Sequence, residues 1–265
     1  MTFLKSMKQF HRFNDSYFSS ASSIRYEGDT ITITMENILS DVKILRKPEF
    51  ETVRYNTKLS FIPSERNLVS VIRNIDQSYR SAESDVLFNY IFEWGEAKDS
   101  YTAEHPKRLS FTDNIEYIND GGNDLVRLIN ENKMIPAYYA SSGVQSAMPL
   151  DVMVDYFTGL VGKNASVSKH DLANTLARYL GKDKELTNEM LKSISNKMKY
   201  QSVQLFIEEP EQNLYPDSQR NLTINLVCAL KQAMPKGRGD SMLVMTTHSP
   251  YILSTLNVLI AEAYA

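Results

Sequence analysis

Apolar residues change their period along the chain, and each change predicts a different kind of element. Ile24 and Tyr26 alternate with polar positions, Glu27-Gly28-Asp29 supplies a turn, and Ile31, Ile33 and Met35 resume the alternation. That pattern predicts a β-hairpin over residues 23–35. A second strand is expected at residues 58–62. Pro63 of Pro63-Ser64-Glu65-Arg66-Asn67 ends it, and residues 68–75 are expected to be helical. From about residue 81 to about 200 helical spacing dominates. Leu172, Leu176 and Leu180 recur every four residues behind the capping-box spelling Ser168-Lys169-His170-Asp171, and Leu186, Met190, Ile194 and Met198 do the same. Each of these helices would bury one face and leave its lysines and asparagines in water.

The last third reads differently. Val203-Gln204-Leu205-Phe206-Ile207 is a short, mainly apolar run bounded by acids; Leu222, Leu226 and Leu230 mark a helix; Met242 to Met245 is apolar again. A buried strand, a crossover helix and another buried strand are the pattern of a parallel sheet covered on both faces. The expectation is an α/β protein with a mainly parallel core sheet, an N-terminal β-hairpin region and a helical lobe. No internal repeat or linker-like tract divides it, so a single domain is expected. Its parts are a β-rich stretch over about 1–80, a helical lobe over about 81–200 and a core over about 201–265.

Composition narrows the function classes. The 265 residues are 42% hydrophobic and 23% charged, as in ordinary globular proteins, so disorder is not the theme. A net charge of −3 lacks the basic footprint of a dedicated nucleic-acid binder, and the Arg46-Lys47 and Lys107-Arg108 clusters read as solvated faces. The single cysteine, Cys228, rules out an internal disulfide and a cysteine-rich zinc site, and fits a reducing cytoplasm. The first residues form no signal-peptide core, and no run approaches the roughly 18 apolar residues of a membrane span. A cytoplasmic protein without membrane attachment is expected.

Three segments carry candidate chemistry. Glu208-Glu209-Pro210-Glu211 ends the first apolar strand of the last third, where α/β sheets bind ligands. One carboxylate there can hold Mg²⁺ and the next can orient or deprotonate a water; the alternative is a solvated acidic turn favoured by the next helix dipole. Thr246-Thr247-His248-Ser249-Pro250 follows the next strand, which would bring His248 to the same sheet edge, as a phosphate contact or as a simple cap. Ala140-Ser141-Ser142-Gly143-Val144-Gln145-Ser146 opens a helix. Its N–H groups could meet a phosphate, with Gly143 allowing close approach, or it could be an ordinary Ser-Gly turn.

In their order, Ser142-Gly143-Val144-Gln145, Leu205-Phe206-Ile207-Glu208-Glu209-Pro210 and Thr247-His248-Ser249 resemble the signature, Walker B and switch-histidine motifs of ABC-type ATPases. The longer spellings, from Ile62-Pro63-Ser64-Glu65-Arg66-Asn67 to Thr247-His248-Ser249-Pro250-Tyr251-Ile252-Leu253, look like a bacterial group of AAA-type proteins related to OLD and RecF-like ATPases. The likeness spans roughly residues 20 to 257. It implies a P-loop NTPase fold in which Glu208 stands on the Mg²⁺ side, Glu209 is the catalytic base and His248 the switch residue. Ser142, Gly143 and Gln145 would contact ATP across a homodimer that sandwiches two nucleotides.

One departure is large. A P-loop requires Gly-x-x-x-x-Gly-Lys-Ser/Thr, and neither Gly162-Lys163 nor Gly181-Lys182 fits it. The fold is therefore expected to be incomplete, lacking an N-terminal Walker A segment, and the chain inactive alone. Glu208 stands where an aspartate is usual, Val144 where a second glycine often stands, and the long stretch between Gln145 and Ile207 suggests a helical insertion. Glu65 and Arg66 have two readings, a nucleotide-linked role and a structural ion pair, of which the ion pair is expected. The rival function is a non-catalytic module that binds a partner protein or nucleic acid on a degenerate ATPase fold. A metal-dependent hydrolase using Glu208, Glu209, Glu211 and His248 ranks last, because neighbouring strand residues point to opposite faces.

Overall fold

Burial alternates along β9 (Ser202–Glu208): Val203, Leu205 and Ile207 are buried while Gln204, Phe206 and Glu208 between them are half-buried. The computed structural model describes residues 7–8, 10–11, 13–14, 16–28, 31–37, 40–48, 56–73, 75, 85–163, 199–237 and 240–264. Its contacts form two compact units, Met1–Tyr55 with Ser81–Val86, and Asn56–Arg80 with Leu87–Ala265.

In the first unit the expected hairpin is present as β1 (Ile24–Glu27) and β2 (Ile31–Met35), antiparallel with Ile24 opposite Met35. A third strand that the pattern did not announce, β3 (Lys43–Arg46), pairs with β2. All four of its residues are exposed, so burial left no periodic trace in the sequence.

The second unit contains the parallel sheet. Its order is β10–β9–β4, with β4 at Thr57–Ile62 and β10 at Met242–Thr246, both parallel to β9. The register puts Lys58, Ser60 and Ile62 on the face of Val203, Leu205 and Ile207. Two polar side chains thus stand at core positions. Glu93 satisfies both: Lys58 Nζ lies 2.7 Å from Glu93 Oε1, and the Ser60 hydroxyl donates to Oε2 at 2.5 Å, as buried polar groups require. The expectation that both sheet faces are covered is corrected. On the second face Leu59 is 58% exposed and Met242 and Val244 remain exposed. The outer edge of β10 pairs with no further strand among the described residues.

Helices pack on the buried face. α1 is a single turn (Leu68–Val71) after a 3-10 turn at Ser64–Asn67; Ile72 is already extended, so the longer helix expected over 68–75 is corrected. α2 spans Val86–Lys98, α3 Ser142–Leu160, α4 Pro216–Ala233 and α5 Pro250–Tyr264. α3 is buried almost all round, with Ala147, Met148, Leu150, Val152, Met153 and Phe157 in the core, as a helix without a polar face must be. Trp94 of α2 is fully buried beside Tyr117.

The reading of residues 81–200 as mostly helical fails between 107 and 136. Four antiparallel strands stand there, β5 (Lys107–Arg108), β6 (Ile115–Asp120), β7 (Asn123–Leu128) and β8 (Lys133–Pro136), in the order β5–β6–β7–β8. The turn between β6 and β7 is Gly121-Gly122, both with positive φ, the geometry that favours two-residue hairpin loops. The helices expected around Leu172–Leu180 and Leu186–Met198 lie outside the described residues. No described helix is long and apolar enough to cross a membrane.

Candidate functional site

β9 and β10 run parallel with Glu208 opposite Thr246, so the residues just past each strand meet at one sheet end. The chain turns there: Glu209 has φ +43 and its N–H donates to the Thr246 carbonyl at 2.9 Å. A positive φ is uncommon for a residue with a side chain. It sends the two acids to different neighbours. Glu208 Oε2 accepts from the Ser64 N–H at 3.2 Å, on the β4 side. Glu209 Oε1 lies 4.0 Å from His248 Nε2, on the β10 side. His248 is 90% exposed and Glu209 43% exposed at the side chain, so the pair is open to an incoming ligand. Glu211 braces it from behind, its Oε1 accepting the His248 main-chain N–H at 2.7 Å. The histidine is followed by Ser249, whose hydroxyl accepts the Tyr251 N–H at 3.2 Å and caps α5, with Pro250 at its first position.

Arg66 organises this end from below. Its side chain is fully buried, and its donors go to main-chain carbonyls: Nη1 to Glu208 at 2.6 Å and Pro63 at 3.2 Å, Nη2 to Glu209 at 2.6 Å, and Nε to Ser146 at 2.8 Å. The expected structural ion pair is thus replaced by a carbonyl clamp. Burial lowers the guanidinium's proton affinity, opposed by the carboxylates of Glu211, Glu209 and Glu208. Tyr90 fixes the clamp's own backbone by donating to the Arg66 carbonyl at 2.7 Å.

The Ser-Gly turn sits at the start of α3. Ser141 is the N-cap, its hydroxyl accepting the Val144 N–H at 3.4 Å. Ser141, Ser142 and Gly143 border a cavity of 590 Å³ with Phe111, Asn213 and Tyr215. Gln145 is not brought there: its amide donates to the Tyr138 carbonyl at 2.9 Å. The structure gives the glycine at position 143 a packing reason. A Cβ at that position would stand 2.7 Å from the Asn213 carbonyl oxygen, so its missing side chain admits the backbone of the turn after β9. That turn is held reciprocally, Asn213 Nδ2 donating to the Ser146 hydroxyl at 2.9 Å. Residues 209–215 therefore border the acid–histidine pair at one end and the Ser-Gly cavity at the other.

Among the described residues no three His, Cys, Asp or Glu side chains are grouped to hold a metal ion. Glu208 and Glu209 diverge, so they form no shared cage for the metal-hydrolase reading. A nucleotide-borne Mg²⁺ asks for less, one or two carboxylates with phosphates and waters, and the Glu208 carboxylate, half-buried and held by Ser64, suits that role.

Arg66, Ser64 and Glu211 are the site residues whose roles sequence reasoning missed. Only the run Pro63-Ser64-Glu65-Arg66-Asn67 directly after a predicted strand pointed toward the first two. No curated protein matches the chain. The family model of the AAA ATPase domain matches residues 34–253, a span that contains both strand tips, the Arg66 clamp and the start of α3; the chain belongs to the AAA ATPase domain family.

Proposed function

We propose that this chain is the hydrolytic core of an ATP-driven switch of the OLD/RecF-like kind, working as a homodimer that sandwiches two nucleotides. The observation that carries the reading is the approach of Glu209 and His248, 4.0 Å apart, at the carboxyl ends of neighbouring parallel strands. Glu209 accepts the proton of the attacking water as its oxygen bonds to the γ-phosphorus. The bond to the ADP oxygen breaks, and His248 hydrogen-bonds the departing phosphate. Glu208 holds Mg²⁺, which when bound neutralises phosphate charge. Ser142, Gly143 and the N-terminus of α3 meet the triphosphate held by the second copy, where a helix dipole and hydroxyl donors favour anionic oxygens. Gln145 supports that turn through Tyr138 instead of reaching the ligand.

The sequence has no P-loop, so on this reading the phosphate cradle comes from residues outside these 265 and the chain alone does not turn over. The exposed second face of the sheet and the edge of β10, unpaired among the described residues, support this, since a further parallel strand at that edge would end beside His248. The same missing P-loop favours a second reading, a non-catalytic module that binds a partner protein or nucleic acid. Calorimetry with Mg·ATP on protein carrying a P-loop segment separates the two. In that protein Glu209→Gln is expected to trap nucleotide-bound dimers and to lower turnover at least 10²-fold. Wild-type turnover in the variant would reject the assignment.

A further inference from the structure

α3 contains a proline at its eighth position, Pro149. Proline has no N–H to give to the carbonyl four residues earlier, so the Gln145 carbonyl is left without its intrahelical donor. The Ser70 hydroxyl of α1 supplies one at 2.9 Å. The next carbonyl, Ser146, accepts Arg66 Nε at 2.8 Å. The first turn of α3 is thus tied to the segment after β4 by two side chains, one of them at the carbonyl that Pro149 leaves without a donor. Arg66 then spends its remaining donors on the carbonyls of Pro63, Glu208 and Glu209. One rigid guanidinium therefore connects the turn that presents Ser142 and Gly143 with the two peptide groups that flank the left-handed residue Glu209.

We infer that Arg66 is a positioning residue that couples the first turn of α3 to the backbone of Glu209, so that displacing the turn changes where the Glu209 carboxylate points. Its catalytic consequence rests on the proposed function, but the coupling itself does not. A planar fork that bonds Ser146 at one end and Glu209 at the other cannot follow a movement of the helix turn without releasing or dragging the strand tip. Glu209 is the more responsive end, because a side-chain-bearing residue at φ +43 relaxes when its restraints go. Ser70 completes the device by giving the Gln145 carbonyl the donor that Pro149 lacks.

Hydrogen exchange on the 265-residue chain tests the coupling without nucleotide. In Arg66→Met, amides of residues 141–147 and of 208–214 are expected to exchange at least 10-fold faster together, while the β6–β7 hairpin keeps wild-type rates. Acceleration at one of the two segments only, at neither, or equally throughout with the hairpin included, would overturn it. Should Arg66→Met fail to fold, Arg66→Lys keeps the charge but cannot span from Ser146 to Glu209, and the same paired pattern is expected at smaller size. In protein carrying a P-loop segment, Arg66→Lys should lower kcat about 10-fold or more with KM for ATP changed less than about 3-fold; an effect on KM alone would reject the positioning role. If wild-type protein shows no turnover, the proposed function fails while the exchange pattern still decides the coupling.

Discussion

The tip of β9 and the first turn of α3 are both places where a regular hydrogen-bond ladder stops, but they stop for opposite reasons. At β9 the interruption is conformational. Glu209 takes a left-handed φ, its N–H bonds Thr246, and the carbonyls on either side are held by Arg66. At α3 it is chemical, since Pro149 withholds a donor from the Gln145 carbonyl, which Ser70 satisfies, while Arg66 bonds the next one. The first arrangement holds the Glu209 carboxylate on a left-handed backbone; the second leaves a buried helix whose one orphaned carbonyl is satisfied from outside.

Substitutions can break that contrast. The largest effect is expected from Glu209→Gln, with turnover of protein carrying a P-loop segment down at least 10²-fold and thermal stability almost unchanged, because the amide keeps the backbone pose; a large loss of stability would show that the carboxylate itself braces the tip. Gly143→Ala comes next. Its methyl would press on the Asn213 carbonyl at 2.7 Å, and overpacking of this kind costs about 1–3 kcal/mol, readable by denaturant unfolding. Near-neutral stability would mean that the turn after β9 yields easily. Glu209→Gly should abolish turnover yet raise stability by about 1 kcal/mol, as glycine accepts φ +43 without strain. Lower stability would place the strain elsewhere.

The smallest effect concerns Asp151, buried in the second half of α3 and bonded by the Ser110 N–H and, at 3.1 Å, by Asn225 Nδ2. Burial raises its pKa above the ordinary aspartate value, opposed by Lys107. The folded chain therefore holds this proton to higher pH than the unfolded chain, and stability falls as pH rises from the ordinary aspartate range through the raised folded value. Asp151→Asn should flatten that part of the stability–pH curve. An unchanged slope would assign it to other groups.

Much of the parallel sheet was legible, because apolar runs bounded by Pro63 or by acids mark β4, β9 and β10, and Leu222, Leu226 and Leu230 mark α4. The order of the motifs led to the two strand tips for the same reason: a strand followed by a helix has one available end. The β5–β8 sheet escaped because the faces of its two longer strands mix Glu116, Asn119 and Arg127 with apolar residues, although Asp120-Gly121-Gly122-Asn123 is a hairpin spelling in plain view. Arg66 was unreadable on other grounds. Its partners are carbonyls 80 and 142 positions away, and a sequence does not record which way a peptide group points. The second sheet face was misjudged because continuous apolar spelling in β9 is compatible with one covered face as well as two.

Trp94, sealed against Tyr117 at 5.5 Å between ring centres, is the only tryptophan in the chain. Excitation at long ultraviolet wavelengths therefore addresses one chromophore, in the unit that bears the two strand tips. Its emission reports loss of that unit's interior and so offers a built-in optical probe for ranking the variants above.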